Sequence, residues 1–361
     1  MKILITGACA VSARSVLRSL KMSKIFGNCE FIGWDTCTLL YGVYAKAFDK
    51  LYKVPPVSDP SYETVAREII AKEKIDAAII VPEVEVVFWT ERNIGVPCLL
   101  PPSKFAHLAI SKEKVFDALK NTTLVPKHFS ASVSEIKSDG FENPLGYPVW
   151  IRDGGAGTAS AKGAFKAFTH DDLKAWCQIN TGIEQFQLAE FLPGANYGCF
   201  CLFKNGRLIK MCQAERIEYI MAKVAVSGIT GNTSKGRLLN DDRIKKVALE
   251  VIDILCNKTG ETMNGLVVVD MKCRADGYPV ATEINLRHVA FSSMFASAGF
   301  NVSEYQLLLA LGRDDEISPE IEKTYPEGNF MLRDVDGEPI YIEKIDKLKI
   351  GECIKKSVNE I

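Results

Sequence analysis

The chain has 361 residues, enough for two or three domains, and its 44 basic and 45 acidic side chains leave a net charge of −1. That balance gives no electrostatic reason to expect nucleic acid or an anionic membrane as partner, while a 47% hydrophobic content supplies ample material for buried cores. No run of about 18 apolar residues occurs, and no charged-then-apolar leader opens the chain, so neither a membrane span nor a signal peptide is expected and the cytoplasm is the default.

Ile3-Leu4-Ile5 reads as a strand, Gly7 as the turn after it, and Ser12 to Leu20 as a helix with apolar positions at Val16, Leu17 and Leu20. Phe31 to Asp35 reads as a second strand, Lys50 to Val54 as a third, Tyr62 to Lys72 as a helix and Ala77 to Val81 as a fully apolar strand. This alternation predicts a parallel sheet covered by helices on both faces. The proline-rich stretch from Pro97 to Pro102 marks its end. One charged helix is expected over Ser103 to Leu119. A strand over Pro148 to Ile151 then leads into a loop of small residues from Asp153 to Gly163. Asp171 to Gln178 reads as a helix and Gln187 to Phe191 as a strand. Tyr197 to Phe203 and Leu208 to Cys212 flank the hairpin signal Asn205-Gly206. Asp241 to Cys256 reads as a helix. Leu266 to Lys272 and Tyr278 to Ile284 flank a second hairpin signal, Asp276-Gly277, and Asp336-Gly337 lies between short strand-like runs near the end.

Three places carry the residue types that chemistry needs. The first is the turn Gly7-Ala8-Cys9-Ala10, with Asp35 placed where a ribose-binding acid would stand. It holds one glycine where a dinucleotide fingerprint has three, so it reads as a structural turn. The second is Arg152 and the small-residue loop after it. Such a loop lays backbone N–H groups against phosphate oxygens, with Arg152 adding a cation, or it is simply a surface loop. The third is the pair Asp270 and Glu283. Counted outward from the Asp276-Gly277 turn they fall nearly opposite each other, with Asn285 and Arg287 on the same face. Two acids and an amide make an all-oxygen site of the kind magnesium takes, or else two solvated acids on an exposed face. The eleven cysteines include no CxxC pair and read as free thiols. The four histidines have no metal-ligand spacing with a cysteine, so zinc is not expected.

In this order the pieces resemble the ATP-grasp superfamily, in particular the synthetase halves of the carbamoyl phosphate synthase large subunit and carboxylate–amine ligases. The resemblance covers most of the chain. It runs from "ILITGACAVSARSVLRSL" and "YKVPPVSDPSYE" through "YPVWIRDGGAGTASAKG" and "LAEFLPGANYG" to "GLVVVDMKCRADGYPVATEINLR", the most specific block. It implies an α/β and α+β chain. A Rossmann-like preATP-grasp domain would span 1–102, and a two-lobed ATP-grasp fold would follow. Its small lobe would span 103–192 with a glycine-rich lid, and its large lobe 193–317 with the metal site. A small β-rich segment would fill 318–361.

The same resemblance implies roles. Lys112, or Lys114 in its place, would touch an ATP phosphate beside Arg152. Gly157, Ser160 and Gly163 would form the lid, and Glu190 with the backbone of Phe191 and Leu192 would hold the adenine edge. Asn196 stands where the family has a ribose-binding acid. Asp270, Glu283 and Asn285 would hold magnesium, or manganese in its stead. Arg287 and Arg152 would stabilise the reacting groups. The chain departs from the pattern at Arg152-Asp153, where Lys-Pro is usual, at Ala159 in place of a lid glycine, and at Asn285-Leu286-Arg287, where Asn-Pro-Arg is usual.

The implied activity joins a small-molecule carboxylate to an amine, or to a thiol, through an acyl phosphate, releasing ADP and phosphate. A homodimer is the expected assembly. Kinase-like phosphoryl transfer and non-catalytic nucleotide binding are the neighbouring readings. A nicotinamide oxidoreductase would need the Gly7 turn to bind a dinucleotide, against which its single glycine argues.

Overall fold

A computed structural model describes residues 1–37, 47–154, 163–224, 228, 230–334 and 348–355. The chain opens with β1 (Lys2–Thr6), α1 (Val11–Lys21), β2 (Glu30–Asp35), β3 (Lys50–Lys53), α2 (Tyr62–Glu73), β4 (Ala77–Ile79) and α3 (Glu83–Thr90). β1 pairs in parallel with β2 and β4, and β2 in parallel with β3. The middles of the strands are apolar and buried because both faces are covered, with charged residues at the ends of β2 and β3. Ile3, Ile5 and Phe31 pack with Val16, Leu17 and Leu20 of α1, while Leu4, Ile32 and Trp34 pack with Ala66 and Ile69 of α2. At the turn, Asp35 accepts from the Cys9 N–H at 2.9 Å, so this acid ties β2 to the Gly7 turn.

The single helix expected over 103–119 is two helices, α4 (Ser103–Ala109) and α5 (Lys112–Leu119). The break falls at Ser111, whose backbone is extended and whose Oγ accepts from the Lys114 N–H. A serine that caps a helix start competes with continued helix through the same atoms.

Next come β5 (His128–Ser132), α6 (Val133–Lys137), β6 (Val149–Asp153), β7 (Phe165–Ala167), α7 (His170–Ile179) and β8 (Gln185–Glu190). They form an antiparallel sheet in the order β5-β8-β6-β7. One face buries Ile151, Phe186 and Leu188 with Ile136 of α6 and Leu173 of α7. Alternation along the strands sends Arg152 and Gln187 to the other face.

The remaining elements are β9 (Asn196–Lys204), β10 (Arg207–Tyr219), β11 (Thr233–Leu239), α8 (Asp242–Thr259), β12 (Gly265–Cys273), β13 (Pro279–Asn285), α9 (Ser292–Ser297), α10 (Val302–Ala310), β14 (Met331–Leu332) and β15 (Cys353–Lys355). A six-stranded sheet runs β13-β12-β9-β10-β11-β14. Cys199, Cys201, Val267 and Val269 share a core with Val247, Val251 and Leu255 of α8. Phe200, Leu202 and Val268, of the opposite parity, pack with Phe291 and Phe295. β10 extends seven residues beyond the expected Cys212, to Tyr219.

The segment expected as a C-terminal unit, 318–361, contributes β14 to the six-stranded sheet and β15 to the edge of the first sheet, antiparallel to β3. The Asp336-Gly337 turn lies outside the described residues. One core continues from Leu4 and Trp34 of the first sheet to α8 and β12. No described helix is long and apolar enough to cross a membrane. All eleven cysteines are free.

Candidate active site

The hairpin β12–β13 places Asp270 opposite Glu283 and Val268 opposite Asn285. The register shifts directly after Asp270, since Met271 pairs with Ala281 and Thr282 is left as the extra residue. Irregularities of this kind re-aim side chains and free backbone groups. Here the Thr282 hydroxyl donates to the Asp270 carbonyl at 3.1 Å, and the Thr282 carbonyl accepts from Arg152 Nη1 at 3.1 Å.

Asp270 gathers partners from both sides. Asn285 Nδ2 donates to Oδ2 at 3.3 Å, and Arg216 Nη2 meets Oδ1 at 2.5 Å. Arg216 stands on β10, two strands away, and reaches across Gly198, which is paired with both Asp270 and Ala214. A Cβ on Gly198 would lie 3.2 Å from Arg216 Nη2 and 3.5 Å from Asp270 Oδ1, so the missing side chain is the passage for the ion pair. Burial pushes the Asp270 carboxyl above its ordinary value, and Arg216 opposes that rise. Burial alone would lower Arg216, but the Asp270 charge holds it above its ordinary value. Glu283 is met by Lys112 Nζ at 3.2 Å. That lysine is the first residue of α5, placed there by the Ser111 cap.

Arg152 is a fixed charge. Its Nε and Nη2 donate to Gln187 Oε1 at 2.8 and 2.6 Å, and its guanidinium carbon lies 4.8 Å from the Phe116 ring centroid. Burial lowers its pKa to about 10, with Glu283 pulling the other way. Through Thr282 it joins the four-stranded sheet to the β12–β13 hairpin.

Arg287, just past β13, has Nε 3.9 Å from Glu83 Oε1, and its Nη1 donates to Ser12 Oγ at 3.5 Å and to the His288 carbonyl at 3.1 Å. The first sheet therefore touches the site through the start of α1 and of α3. His288 is buried between Ser292 Oγ and Gln306 Oε1, and burial lowers its pKa to about 4.

Lys112, Arg152, Arg216, Asp270, Thr282 and Glu283 wall one end of a cleft of about 830 Å³ between the two antiparallel sheets. The other end is lined by Trp150, Ala189, Phe191, Leu192 and Met271, with Lys166 Nζ 3.8 Å from the Phe191 ring centroid. Glu190 lines it too, with its Oε1 accepting from Arg274 Nε at 3.0 Å and from the Lys127 N–H at 3.2 Å. Asn196 and Asp153 also line the cleft. So do Ala222, Lys223, Gly228 and Gly231 from the small polar loop after β10.

No family model matches the sequence, and no curated protein does. Solved structures do match, through the fold. N5-carboxyaminoimidazole synthetase from Staphylococcus aureus superposes with a TM-score of 0.61 at 14% identity, over 92% of this chain and 79% of that one. L-amino acid ligase from Bacillus licheniformis gives 0.59 at 14%, over 88% and 77%. An ATP-grasp superfamily protein from Archaeoglobus fulgidus gives 0.52 at 17%, over 86% and 88%.

The chain has the ATP-grasp fold. A Rossmann-like sheet is followed by the small-lobe sheet β5–β8 and the large-lobe sheet β9–β14, with the cleft between the ATP-grasp lobes. Lys112, Arg152, Asp270 and Glu283 line one end of the cleft, and Glu190 to Leu192 with Asn196 lie along the rest. Asn285, buried behind Asp270, and Arg287, whose charge acts on Asp270, do not line it. Gly163 follows the small-lobe strand β6 with φ +64°, whereas Gly157 and Ser160 lie outside the described residues. Sequence reasoning missed Arg216, Gln187, Lys166, Glu83 and Ser12. For Arg216 a signal existed. Cys212, Ala214 and Arg216 share one parity, and a strand read past Cys212 points the arginine to the face that carries Asp270.

Proposed function

We propose that this chain uses ATP to activate a carboxylate as an acyl phosphate and passes the acyl group to an amine or thiol, releasing ADP and phosphate. The observation that carries the reading is the charge arrangement at the hairpin. Lys112, Arg152, Arg216 and Arg287 surround Asp270 and Glu283, so cations outnumber carboxylates where a polyphosphate would end. The likeness to ligases of this fold supports the reading.

The donor set fits magnesium. Asp270, Glu283 and Asn285 are hard oxygen ligands on one sheet face. Two carboxylates and one amide oxygen suit an ion that completes its shell with phosphate oxygens and water. Magnesium, when bound by Asp270, Glu283 and Asn285, neutralises charge on the β- and γ-phosphates.

Adenine fits the apolar end, against the backbone of Glu190, Phe191 and Leu192, where Glu190 Oε1 is taken by Arg274 and Lys127. Arg152 and Lys112 direct positive charge to the phosphates, with Arg152 held rigid by Gln187. A carboxylate oxygen of the acid attacks the γ-phosphorus, the bond to the bridging oxygen breaks, and ADP leaves. An amine then attacks the acyl carbon, phosphate departs with the bonding electrons, and the amine loses a proton. Positioning and fixed charge do most of this work. Arg287, beside Glu83 and Ser12, faces the reacting acyl group.

The test is ADP release over amino acids and small carboxylates, offered singly and in pairs. ADP formed only with an acid plus an acceptor is the expected result. A phosphorylated product accumulating without acceptor would mean that the reaction stops at phosphoryl transfer. Absence of both ADP release and ATP-induced thermal stabilisation would sink the reading.

A further inference from the structure

Helix α1 carries Arg14 and Arg18 four residues apart, which places them on one helix face. Arg333, directly after β14, comes to the same place. Its Nε donates to the Thr233 carbonyl at 3.0 Å, and its other nitrogens approach the Ala290 carbonyl at 3.4 Å and Asn232 Oδ1 at 3.5 Å. Burial, and then the charges of Arg18 and Arg14, push Arg333 below its ordinary value. Partial burial of the guanidinium and then the charge of Arg14 do the same to Arg18, although the residue as a whole is exposed.

Three guanidinium groups from two layers of the fold thus repel one another, yet among the described residues none has an Asp or Glu partner. Elsewhere the buried guanidinium groups have side-chain acceptors, Arg216 on Asp270 and Arg152 on Gln187. The Nε–H of Arg14 is buried with no hydrogen-bond partner among the described residues, an arrangement that is unfavourable unless an acceptor arrives.

The cluster is continuous with the candidate active site. Ser15, between the two α1 arginines, donates to the same Ala290 carbonyl that Arg333 approaches, at 3.0 Å, and its Oγ accepts from the Ser293 N–H at 2.8 Å. Arg287 opens that loop and reaches Ser12 in the first turn of α1. Hydrogen bonds thus link Arg287 to the first turn of α1, and the Ala290 carbonyl to both Ser15 and Arg333, so that the segments carrying Arg287, Arg14, Arg18 and Arg333 form a row of cations beside the site.

We propose that this row holds a second anionic group of the acid substrate, so that the acid activated here is a dicarboxylic or phosphorylated carboxylic acid. The inference rests on the ligase reading above. Guanidinium forks match both carboxylate and phosphate oxygens, and an incoming anion satisfies the Arg14 Nε–H while removing the repulsion among the three charges.

The test has two arms. In the first, the full chain is saturated with a non-hydrolysable ATP analogue and magnesium, so that the triphosphate end is filled. It is then titrated calorimetrically with inorganic phosphate, succinate and butyrate. Phosphate or succinate should bind at least tenfold more tightly than butyrate, and Arg14→Met or Arg333→Met should abolish that preference. Arg14→Lys should retain part of it, which separates loss of charge from loss of fold. Phosphate preferred over succinate assigns a phosphorylated acid, and the reverse a dicarboxylic acid. Equal binding of all three, or a preference that survives Arg14→Met, overturns the proposal. In the second arm, the ratio of kcat/KM for dianionic over monoanionic acids in ADP release should fall at least tenfold in Arg14→Met, and an unchanged ratio overturns it. If no acid releases ADP while the dianion preference holds and depends on Arg14, the ligase reading fails and the anion site stands.

Discussion

Gly198 shows how little space the site leaves. An alanine there puts a methyl group 3.2 Å from Arg216 Nη2 and 3.5 Å from Asp270 Oδ1, tighter than most carbon contacts, so the Arg216 guanidinium must shift by a few tenths of an ångström and disturb its pairing with Asp270. Gly198→Ala should reduce ADP release at least tenfold while costing only about 1–3 kcal/mol of stability, the usual range for one inserted carbon. Wild-type turnover in this variant would contradict the placement of Asp270. Arg216→Met is harsher, because it leaves a buried carboxylate without its cation, at a cost of about 3–5 kcal/mol at neutral pH. Asp270 already has a folded pKa raised by burial. Such a group is most stable protonated and loses stability as pH rises through its folded pKa. The variant should therefore recover part of its deficit in urea melts at acidic pH, and a deficit that grows on acidification would contradict this. Glu283→Gln keeps the shape and removes the charge that faces Lys112. ADP release should fall by about 10² or more with the melting temperature close to wild type. The hairpin residues were legible because a two-residue turn and strand parity fix which side chains face each other. Gln187 was not, since nothing in its neighbours announces that its amide oxygen takes two N–H groups of Arg152.

At the scale of single elements, α5 matters out of proportion to its length. It begins at Lys112, and its start is set by the Ser111 hydroxyl. Ser111→Ala should cost about 1 kcal/mol of stability, the usual worth of such a cap, and should also raise the KM for ATP, because Lys112 loses its defined origin. A lowered melting temperature with an unaltered KM would mean that Lys112 is placed by Glu283 alone. Reading 103–119 as one helix failed for the same physical reason. Apolar periodicity runs through Ile110 and Ser111, while the capping bond that interrupts it is invisible to periodicity. The start of the small lobe was passed over too, although Ser132-Val133-Ser134-Glu135 is a capping-box pattern, and the structure forms that box at α6. The helices and strands with long, clean patterns, such as α8 and β12, were legible within a few residues. The end of β10 was not, because its last turn of chain carries Glu215, Glu218 and Arg216, and charge there reads as loop until Asp270 is known to lie opposite.

Across the whole molecule, one core joins the first sheet to the large lobe, so the two should unfold together. Two buried groups at opposite ends of that core then set opposing pH slopes. Glu85, held by Trp34 Nε1, is raised by burial to about 7 from an ordinary 4.5, so its contribution falls as pH rises between those values. His288 is lowered by burial to about 4 from 6.5, so its contribution falls as pH drops through that window. Each is worth about 3 kcal/mol, and between pH 4.5 and 6.5 they offset each other. Glu85→Gln should leave a stability that climbs with pH over that range, and His288→Gln one that declines. Urea midpoints with the same sign of slope in both variants would show that the halves do not unfold as one. The strand β15 has a different kind of consequence. It seals the edge of β3 from about 300 residues farther along the chain, while synthesis proceeds at about 5–20 residues per second. The first sheet to leave the ribosome thus waits on the order of tens of seconds with an open edge, a period in which a holdase chaperone has something to protect.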